Sequence, residues 1–233
     1  MFLNKFYQDL GDTIQISREQ ASDFAKSIAG DFNPIHDVDA KRFCVPGDLL
    51  FALVLNKYGL SQHMHFTFSG MVGDESKLIF PEMTESEIVI KDISDKTYLS
   101  IKHSGDSNTE SESANNLSRR YVEFSGQTFP HILVPLMAKH NVMVNPARPL
   151  VIYESMTINI EQLDIVDPTL TLTDSTLHVD GKRGTVSLKF SVSDKGDIIG
   201  SGEKNMVMSG LREYEQAAID VLINDYAARK QSY

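Results

Sequence analysis

The spacing of apolar residues predicts a first helix over residues 17–29. Its apolar positions recur at intervals of three and four, as on one buried helix face: Ala21, Phe24, Ala25 and Ile28. Ser17 and Gln20 have the S-x-x-Q spacing of a capping box, which marks a helix start. Gly30 follows the last apolar position, where a left-handed residue commonly ends a helix.

A second apolar run, residues 45–59, predicts a helix that is buried on all sides. Its apolar residues include Leu49, Leu50, Leu53, Val54 and Leu55, which do not fall on a single face. Pro46 and Gly47 open the run, Asp48 suits the first turn of a helix, and Gly59 can close it.

Runs rich in β-branched and aromatic residues predict strands in both halves of the chain. They cover residues 64–72, 76–82, 87–93, 96–104, 150–163, 169–180, 184–194 and 197–210. Residues 104–118, SGDSNTESESANNLS, are polar and rich in Ser and Asn, which predicts a loop or linker.

The second half repeats the pattern of a helix followed by strands. Residues 124–141 predict an apolar helix that Pro135 would kink. Residues 211–230 predict a terminal amphipathic helix, and its apolar side consists of Leu211, Tyr214, Ala218, Val221 and Leu222.

One buried helix with four or five antiparallel strands per half predicts an α+β hotdog fold, in which a sheet wraps a central helix. Two such units in one chain would form a double hotdog. We therefore predict an N-terminal unit at residues 1–120 and a degenerate C-terminal unit at residues 121–233 that ends in the terminal helix.

Composition narrows the classes of function. The 233 residues are 41% apolar, as in a globular protein, and the formal net charge is −10. An acidic chain disfavours general binding to nucleic acid or to an anionic membrane surface. The single cysteine, Cys44, cannot form an intrachain disulfide. With no signal-peptide pattern and no apolar run of about 18 residues, a cytoplasmic protein is expected.

The most informative stretch is AGDFNPIHDVDA, residues 29–40, which puts Asp31, Asn33 and His36 on one turn between two apolar helices. With its flanks it resembles the MaoC-like (R)-specific enoyl-CoA hydratase/dehydratase family of the hotdog superfamily. The match is close over residues 24–50, and the matching positions are Phe24, Ala25, Gly30, Asp31, Asn33, Pro34, Ile35, His36, Ala40, Phe43, Gly47 and Leu49.

The resemblance implies an enzyme that adds water to a 2-enoyl-CoA or removes it from a 3-hydroxyacyl-CoA. Asp31 and His36 would be the catalytic pair that acts on a water molecule, and Asn33 would help to hold the site. The backbone N–H of Gly47 would donate to the thioester carbonyl. The substrate would be a small-molecule acyl thioester, with coenzyme A as part of it, and neither a metal nor a redox cofactor is expected. A homodimer is also expected.

The residue types suit this chemistry on physical grounds. Hydration of a 2-enoyl thioester needs a base that activates water at C3 and an acid that protonates C2, and a neighbouring carboxylate and imidazole can supply both. The charge that develops on the thioester oxygen needs a preorganised donor, which the N-terminus of the helix at Gly47 can provide.

The chain departs from the family pattern at the start of the second helix. The family commonly has His-Gly-Met there, whereas this chain has Pro46-Gly47-Asp48. A carboxylate at Asp48 would oppose the developing charge if it pointed inward, and would merely cap the helix if it pointed outward. The second half has no Gly-Asp-x-Asn-Pro-x-His counterpart, so at most one site per chain is expected.

Simpler interpretations exist for each residue. Taken alone, Asp31 and His36 would be a capping residue and a packed or surface histidine. Cys44 is expected to be a buried structural thiol, and Asp37 and Asp39 to be solvated charges. His63 and His65 are expected to be structural or surface residues, since two histidines seldom make a metal site.

Two other functions are compatible with the sequence. A non-catalytic binder of acyl-CoA or of a lipid-like ligand could use the same fold, since fold does not decide function. A hotdog thioesterase would share the substrate and hydrolyse it.

Overall fold

The computed structural model describes residues 2–84 and 86–233 of the chain. Its α-helices are α1 (Arg18–Asp23), α2 (Gly47–Tyr58), α3 (Ser111–Gly126), α4 (Thr128–His131), α5 (Leu133–Lys139) and α6 (Gln216–Ser232). Its strands are β1 (Gln8–Asp9), β2 (Ile14–Gln15), β3 (Leu60–Phe68), β4 (Leu78–Ile79), β5 (Glu87–Asp92), β6 (Thr97–Asn108), β7 (Val142–Met143), β8 (Val151–Ile160), β9 (Pro168–Asp180), β10 (Arg183–Asp194), β11 (Asp197–Ser209) and β12 (Arg212–Glu213).

Ten of these strands form one antiparallel sheet that contains an internal repeat of topology. Its order is β1-β2-β4-β5-β6-β3-β8-β11-β10-β9. In each half, the first long strand after the helices pairs with the last long strand of that half, which pairs with the strand before it. The order β3-β6-β5-β4 is thus repeated as β8-β11-β10-β9.

The two halves meet where β3 lies antiparallel to β8. Phe66 pairs with Met156 and Met64 with Ile158 across this junction. These four side chains are buried, so the junction belongs to the core that both halves share. The sheet is therefore continuous through the middle of the molecule.

Helix α2 is the central helix of the fold. Every residue from Asp48 to Leu55 is buried, as predicted for a helix that is apolar on all sides. One large core surrounds it with residues of α1, α3 and the sheet, while a second core lies between α5, α6 and the strands of the C-terminal half. A buried helix wrapped by an antiparallel sheet is the hotdog architecture, and the predicted fold class is confirmed.

The division after residue 120 stays a prediction. Residue 120 lies inside α3, and the ten-stranded sheet runs through both halves. Among the described residues, none of the helices combines the length and the apolar character required to cross a bilayer.

The prediction of a loop at residues 104–118 is wrong. Strand β6 continues to Asn108 and α3 begins at Ser111. Ala114, Leu117 and Tyr121 form a helical stripe that packs into the core. The stripe was not recognised because the segment is rich in serine, which is typical of loops. Here Ser113 and Ser118 are buried in the core packing.

The two later helices also differ from expectation. The predicted helix at residues 124–141 is broken into α4 and α5, and Pro135 is not the break. Pro135 lies in the first turn of α5, where its missing N–H is tolerated. In α6 the buried residue is Ile219, whereas Val221, predicted to face inward, is 58% exposed.

Candidate functional site

The turn that carries the sequence motif is fixed by local hydrogen bonds. The capping box of Ser17 and Gln20 is present, and the helix that it starts continues as a π-helix over Phe24–Ala29. Gly30 then takes a left-handed conformation with φ of 65°. The capping box and the left-handed glycine that predicted this helix are therefore both present in the structure.

Two side chains of the motif hold the turn that follows Gly30. The Asp31 carboxylate accepts a hydrogen bond from the backbone N–H of Asn33 at 2.9 Å. The Asn33 side chain accepts one from the backbone N–H of Ile35 at 3.2 Å, and so caps the short 3₁₀ helix Pro34–His36. Asn33 thus has a clear structural task in shaping the turn.

The turn brings Asp31 and His36 together. Asp31 Oδ2 lies 3.7 Å from His36 Nε2, with the histidine side chain 12% exposed and the aspartate side chain 28% exposed. His36 Nδ1 lies 2.6 Å from the backbone carbonyl oxygen of Cys44. A carbonyl oxygen only accepts, so Nδ1 carries a hydrogen and, in the neutral imidazole, Nε2 holds the lone pair that faces Asp31.

Gly47 begins α2 in a crowded position. A Cβ atom on this residue would lie 2.8 Å from Tyr153 Cδ1 and 3.3 Å from Phe68 Cε1. The two rings pack against each other, with centroids 4.3 Å apart. Glycine is therefore required here, because any side chain would collide with the ring of Tyr153.

Asp48 points into the protein. It is 8% exposed, and its Oδ2 accepts a hydrogen bond from the Ser125 hydroxyl at 2.6 Å. The ammonium of Lys204 lies 3.9 Å from Oδ1 and donates to the Ser125 hydroxyl. Burial raises the pKa of Asp48, whereas the charge of Lys204 and the hydrogen bond from Ser125 act in the opposite direction. The inward carboxylate is thus compensated by a cation.

Two tyrosines complete this polar cluster. The Lys204 ammonium lies 4.2 Å from the centre of the Tyr153 ring, a cation–π arrangement. The hydroxyls of Tyr153 and Tyr121 are hydrogen-bonded to each other. Burial raises the pKa of both tyrosines far above the usual value, so both stay neutral.

Asp31, His36, Gly47, Asp48 and Tyr153 all line one cavity of about 560 Å³. Its polar end contains Asp31, His36, Gly47, Asp48, Ser125 and Lys204. Its other walls are mostly apolar and come from both halves of the chain, and the C-terminal half supplies Phe129, Leu133, Met137, Val144, Val151, Met206 and Leu222. A cavity with one polar end and apolar walls suits a ligand with a reactive head and an apolar tail.

The C-terminal helix covers the motif turn. The Tyr226 hydroxyl donates to the carbonyl oxygen of Gly30 at 3.0 Å, and its ring packs against Phe32 and Phe129. Arg229 pairs with Asp37, which also lies 2.9 Å from the Lys26 ammonium.

Asp37 is therefore not the solvated charge that the sequence predicted. Its side chain is only 14% exposed, because the two cations hold it against α6. Asp39, two residues further on, is exposed as predicted.

Cys44, His63 and His65 have the surroundings of structural residues. Burial raises the pKa of the half-buried Cys44 thiol to about 11, which disfavours a thiolate. His63 and His65 bond to Asn159 and Thr157 of β8, as expected of structural residues. Within residues 2–84 and 86–233, no group of three or more His, Cys, Asp or Glu could hold a metal ion.

Sequence reasoning missed Ser125, Lys204, Tyr153 and Tyr226 as parts of the site. Only Lys204 carried a usable signal. It lies on β11 between Gly202 and Met206, whose side of the strand faces the interior. A lysine at an inward position is rarely buried without a partner, and here Asp48 is the neighbouring charge.

Comparison with known proteins gives a family but no assigned activity. A family model described as "Protein of unknown function (DUF3581)" matches residues 1–217. No curated protein matches the chain.

Several solved structures resemble this one at very low sequence identity. An acyl-CoA thioesterase II from Mycobacterium marinum is 8% identical with a TM-score of 0.46, covering 93% of this chain and 99% of its own. A conserved hot dog fold protein of unknown function from Alicyclobacillus acidocaldarius is 8% identical at 0.45, with coverages of 90% and 98%. A MaoC-like dehydratase is 7% identical at 0.42, with coverages of 86% and 97%. These structural similarities do not distinguish a hydratase from a thioesterase.

Proposed function

The chain belongs to the family described as "Protein of unknown function (DUF3581)", and we propose that it is an acyl-thioester hydratase or dehydratase. It would add water to a 2-enoyl-CoA or remove water from a 3-hydroxyacyl-CoA. The observation that carries the proposal is the 3.7 Å separation of Asp31 Oδ2 and His36 Nε2 on the wall of a cavity that Gly47 also lines.

This separation suits a shared water molecule. It is too long for a hydrogen bond between the two groups, yet one water oxygen can lie within hydrogen-bond distance of both. Both groups accept, since Asp31 offers a carboxylate oxygen and His36 offers the lone pair of Nε2. A water that donates to both turns an oxygen lone pair toward C3 of the enoyl chain. The proton that one group removes is then available to C2.

The thioester oxygen would lie at the start of α2. Gly47 is the first residue of this helix, and the first N–H groups of a helix have no acceptor within it. The helix dipole favours negative charge there. Asp48 alone would oppose that charge, and the nearby ammonium of Lys204 offsets it.

The acyl chain would extend from the polar end along the apolar walls. Met137, Val144 and Met206 offer a buried surface of the C-terminal half. In this arrangement the degenerate C-terminal half helps to form the acyl-chain pocket, and the N-terminal half carries the motif. A homodimer and a cytoplasmic location stay predictions, and light scattering of the purified chain would test the first.

The proposal is tested by following the loss of enoyl-thioester absorbance with a series of 2-enoyl-CoA chain lengths. Wild-type protein is expected to turn over at least one chain length. Asp31→Asn and His36→Gln should each lower kcat by roughly 10²- to 10⁴-fold, the usual contribution of a general acid or base. Asp39→Asn is the matched control, because Asp39 is an exposed acid on the same turn.

Other outcomes point to the alternatives. Release of free coenzyme A without hydration would identify a thioesterase. Binding of acyl-CoA without turnover at any chain length would identify a non-catalytic binder. Equal loss of activity in Asp39→Asn and Asp31→Asn would remove the case for a specific catalytic role of Asp31.

A further inference from the structure

The hydroxyl of Tyr226 bonds to the backbone on both sides of Asp31. It donates to the carbonyl oxygen of Gly30 over 3.0 Å and accepts from the N–H of Phe32, whose nitrogen lies 3.4 Å away. A hydroxyl offers one hydrogen and two acceptor positions, so one oxygen atom can make both contacts. Tyr226 therefore holds the two peptide groups that flank Asp31, although it is 196 positions from Gly30 in the chain.

These two peptide groups determine where the Asp31 side chain points. Each peptide group is planar, so the backbone at Asp31 has only two soft dihedral angles. The first plane is also held at its other end, because the Asp31 N–H donates to the carbonyl oxygen of Ala25 at 2.8 Å. The Tyr226 hydroxyl joins this plane to the next one and so restricts both angles. The direction of the Asp31 Cα–Cβ bond follows from them.

The Asp31 carboxylate needs this control because its separation from His36 is specific. Asp31 Oδ2 lies 3.7 Å from His36 Nε2, a distance that lets one water oxygen bond to both groups. The bond between Asp31 Oδ1 and the Asn33 N–H lies within the turn and does not attach the turn to a neighbouring element. The contacts with Tyr226 provide that attachment.

Tyr226 is itself held in place by its surroundings. Its ring packs edge-on against the rings of Phe32 and Phe129, with centroids 5.9 Å and 5.2 Å away. Ile219, two turns earlier in α6, is buried in the second core. Burial and the charge of Asp31 raise the pKa of Tyr226 to about 12, so its hydroxyl keeps the hydrogen that it donates. The donor to the turn is thus preorganised.

Two other contacts join α6 to the first half without acting on Asp31. Arg229 pairs with Asp37, and the Tyr233 hydroxyl donates to Asp23 Oδ1 at 2.8 Å. Both contacts run between side chains, and neither involves a peptide group beside Asp31. They hold the end of the helix, whereas the Tyr226 hydroxyl holds the backbone that aims the carboxylate.

We propose that Tyr226 is a positioning residue for Asp31, so that α6 completes the site that the first half carries. This role rests on the proposed function, in which Asp31 and His36 act on one water molecule. Without the Tyr226 hydroxyl, the carboxylate is free to move to positions from which it cannot share that water with His36. A displacement of about 1 Å can lower a rate by about 10²-fold.

The test compares two tyrosines of α6 that lose the same atom. Tyr226→Phe removes the hydroxyl from the turn and keeps the ring that lines the cavity, whereas Tyr233→Phe removes the hydroxyl that bonds to Asp23. The reaction is the loss of enoyl-thioester absorbance with a 2-enoyl-CoA that the wild type turns over. Tyr226→Phe should lower kcat about 10- to 100-fold and keep KM within about twofold of the wild-type value. Tyr233→Phe should leave both constants within about twofold of wild type.

A second comparison separates positioning from a general loss of structure. In the Asp31→Asn background, Tyr226→Phe should lower kcat no further, because the carboxylate that it positions is already gone. A loss caused by looser structure elsewhere would persist in that background.

Three results would refute the positioning role and leave the proposed function standing. They are an unchanged kcat in Tyr226→Phe, an equal loss in Tyr233→Phe, and an undiminished effect of Tyr226→Phe in the Asp31→Asn background. Failure of the wild type to turn over any chain length would overturn the proposed function and the positioning role together.

Discussion

The hydroxyl of Tyr226 donates a hydrogen bond to the carbonyl oxygen of Gly30 over 3.0 Å, and so joins the last helix to the turn that bears Asp31 and His36. The same hydroxyl accepts from the N–H of Phe32 at 3.4 Å. One side chain of α6 therefore satisfies two backbone groups on the turn beside Asp31.

We expect Tyr226→Phe to destabilise the protein by about 1 kcal/mol, since it leaves a partly buried carbonyl without its donor. Urea unfolding measures the change. Tyr214→Phe is the control, because the Tyr214 hydroxyl bonds only to the nearby exposed Gln216 side chain among the described residues. Equal stability of Tyr226→Phe and wild type would show that the Tyr226 hydroxyl does not stabilise the turn.

Substitution of Lys204 should lower the free energy of unfolding, because the buried Asp48 carboxylate then has no cation beside it. Lys204→Met removes the cation near Asp48 and should cost about 3–5 kcal/mol at neutral pH. The double variant Asp48→Asn/Lys204→Met should recover most of this loss, since no charge is then buried.

The loss in Lys204→Met should also depend on pH. Burial already raises the pKa of Asp48 above its ordinary value of 3.8, and removal of the cation raises it further. A carboxyl whose pKa is higher in the folded state stabilises below its unfolded pKa, and that stability is lost as pH rises. Unfolding of Lys204→Met should therefore need more urea at pH 5 than at pH 7. A flat profile would contradict the assignment of the effect to Asp48.

Gly47 should not tolerate even a methyl group. The Cβ of Gly47→Ala would lie 2.8 Å from Tyr153 Cδ1, a ring held in place by Phe68. We expect a loss of about 1–3 kcal/mol in the free energy of unfolding, as for other overpacked sites. Gly73→Ala is the control, because a Cβ at that position would have no described atom within 4 Å and the φ of Gly73 is not positive.

Cys44 should react slowly with iodoacetamide in the folded protein. With a pKa of about 11, its thiolate fraction at pH 8 is roughly a hundredfold lower than that of a thiol with the ordinary value of 9.0. Mass spectrometry after timed alkylation should show slow labelling of native protein and fast labelling in urea. Fast labelling of the native protein would contradict the buried environment of the thiol.

Local signals predicted the elements that depend on neighbouring residues. The capping box at Ser17 and the left-handed Gly30 are formed as expected, because their hydrogen bonds join residues close together in the chain. The buried helix α2 was equally clear from its continuous apolar run. Helix α3 was missed, because its buried serines look like a polar linker when their packing is unknown.

Pairing across the fold could not be predicted in the same way. The bond from Ser125 to Asp48 joins residues 77 positions apart, and the bond from Tyr226 to Gly30 joins residues 196 apart. No periodicity in the sequence reports such contacts, since they depend on how α3 packs against α2 and how α6 packs against the turn at Gly30.

Apolar patterning and short-range hydrogen bonds are enough to specify the hotdog fold class, the central helix and the turn that presents Asp31 and His36. The environment of Asp48 depends instead on contacts between distant segments. The sequence is compatible with a carboxylate that faces inward or outward, and burial beside Lys204 answers that question. Long-range packing decides the orientation of the Asp48 carboxylate, because a charge can be buried only where the fold brings a compensating group to it.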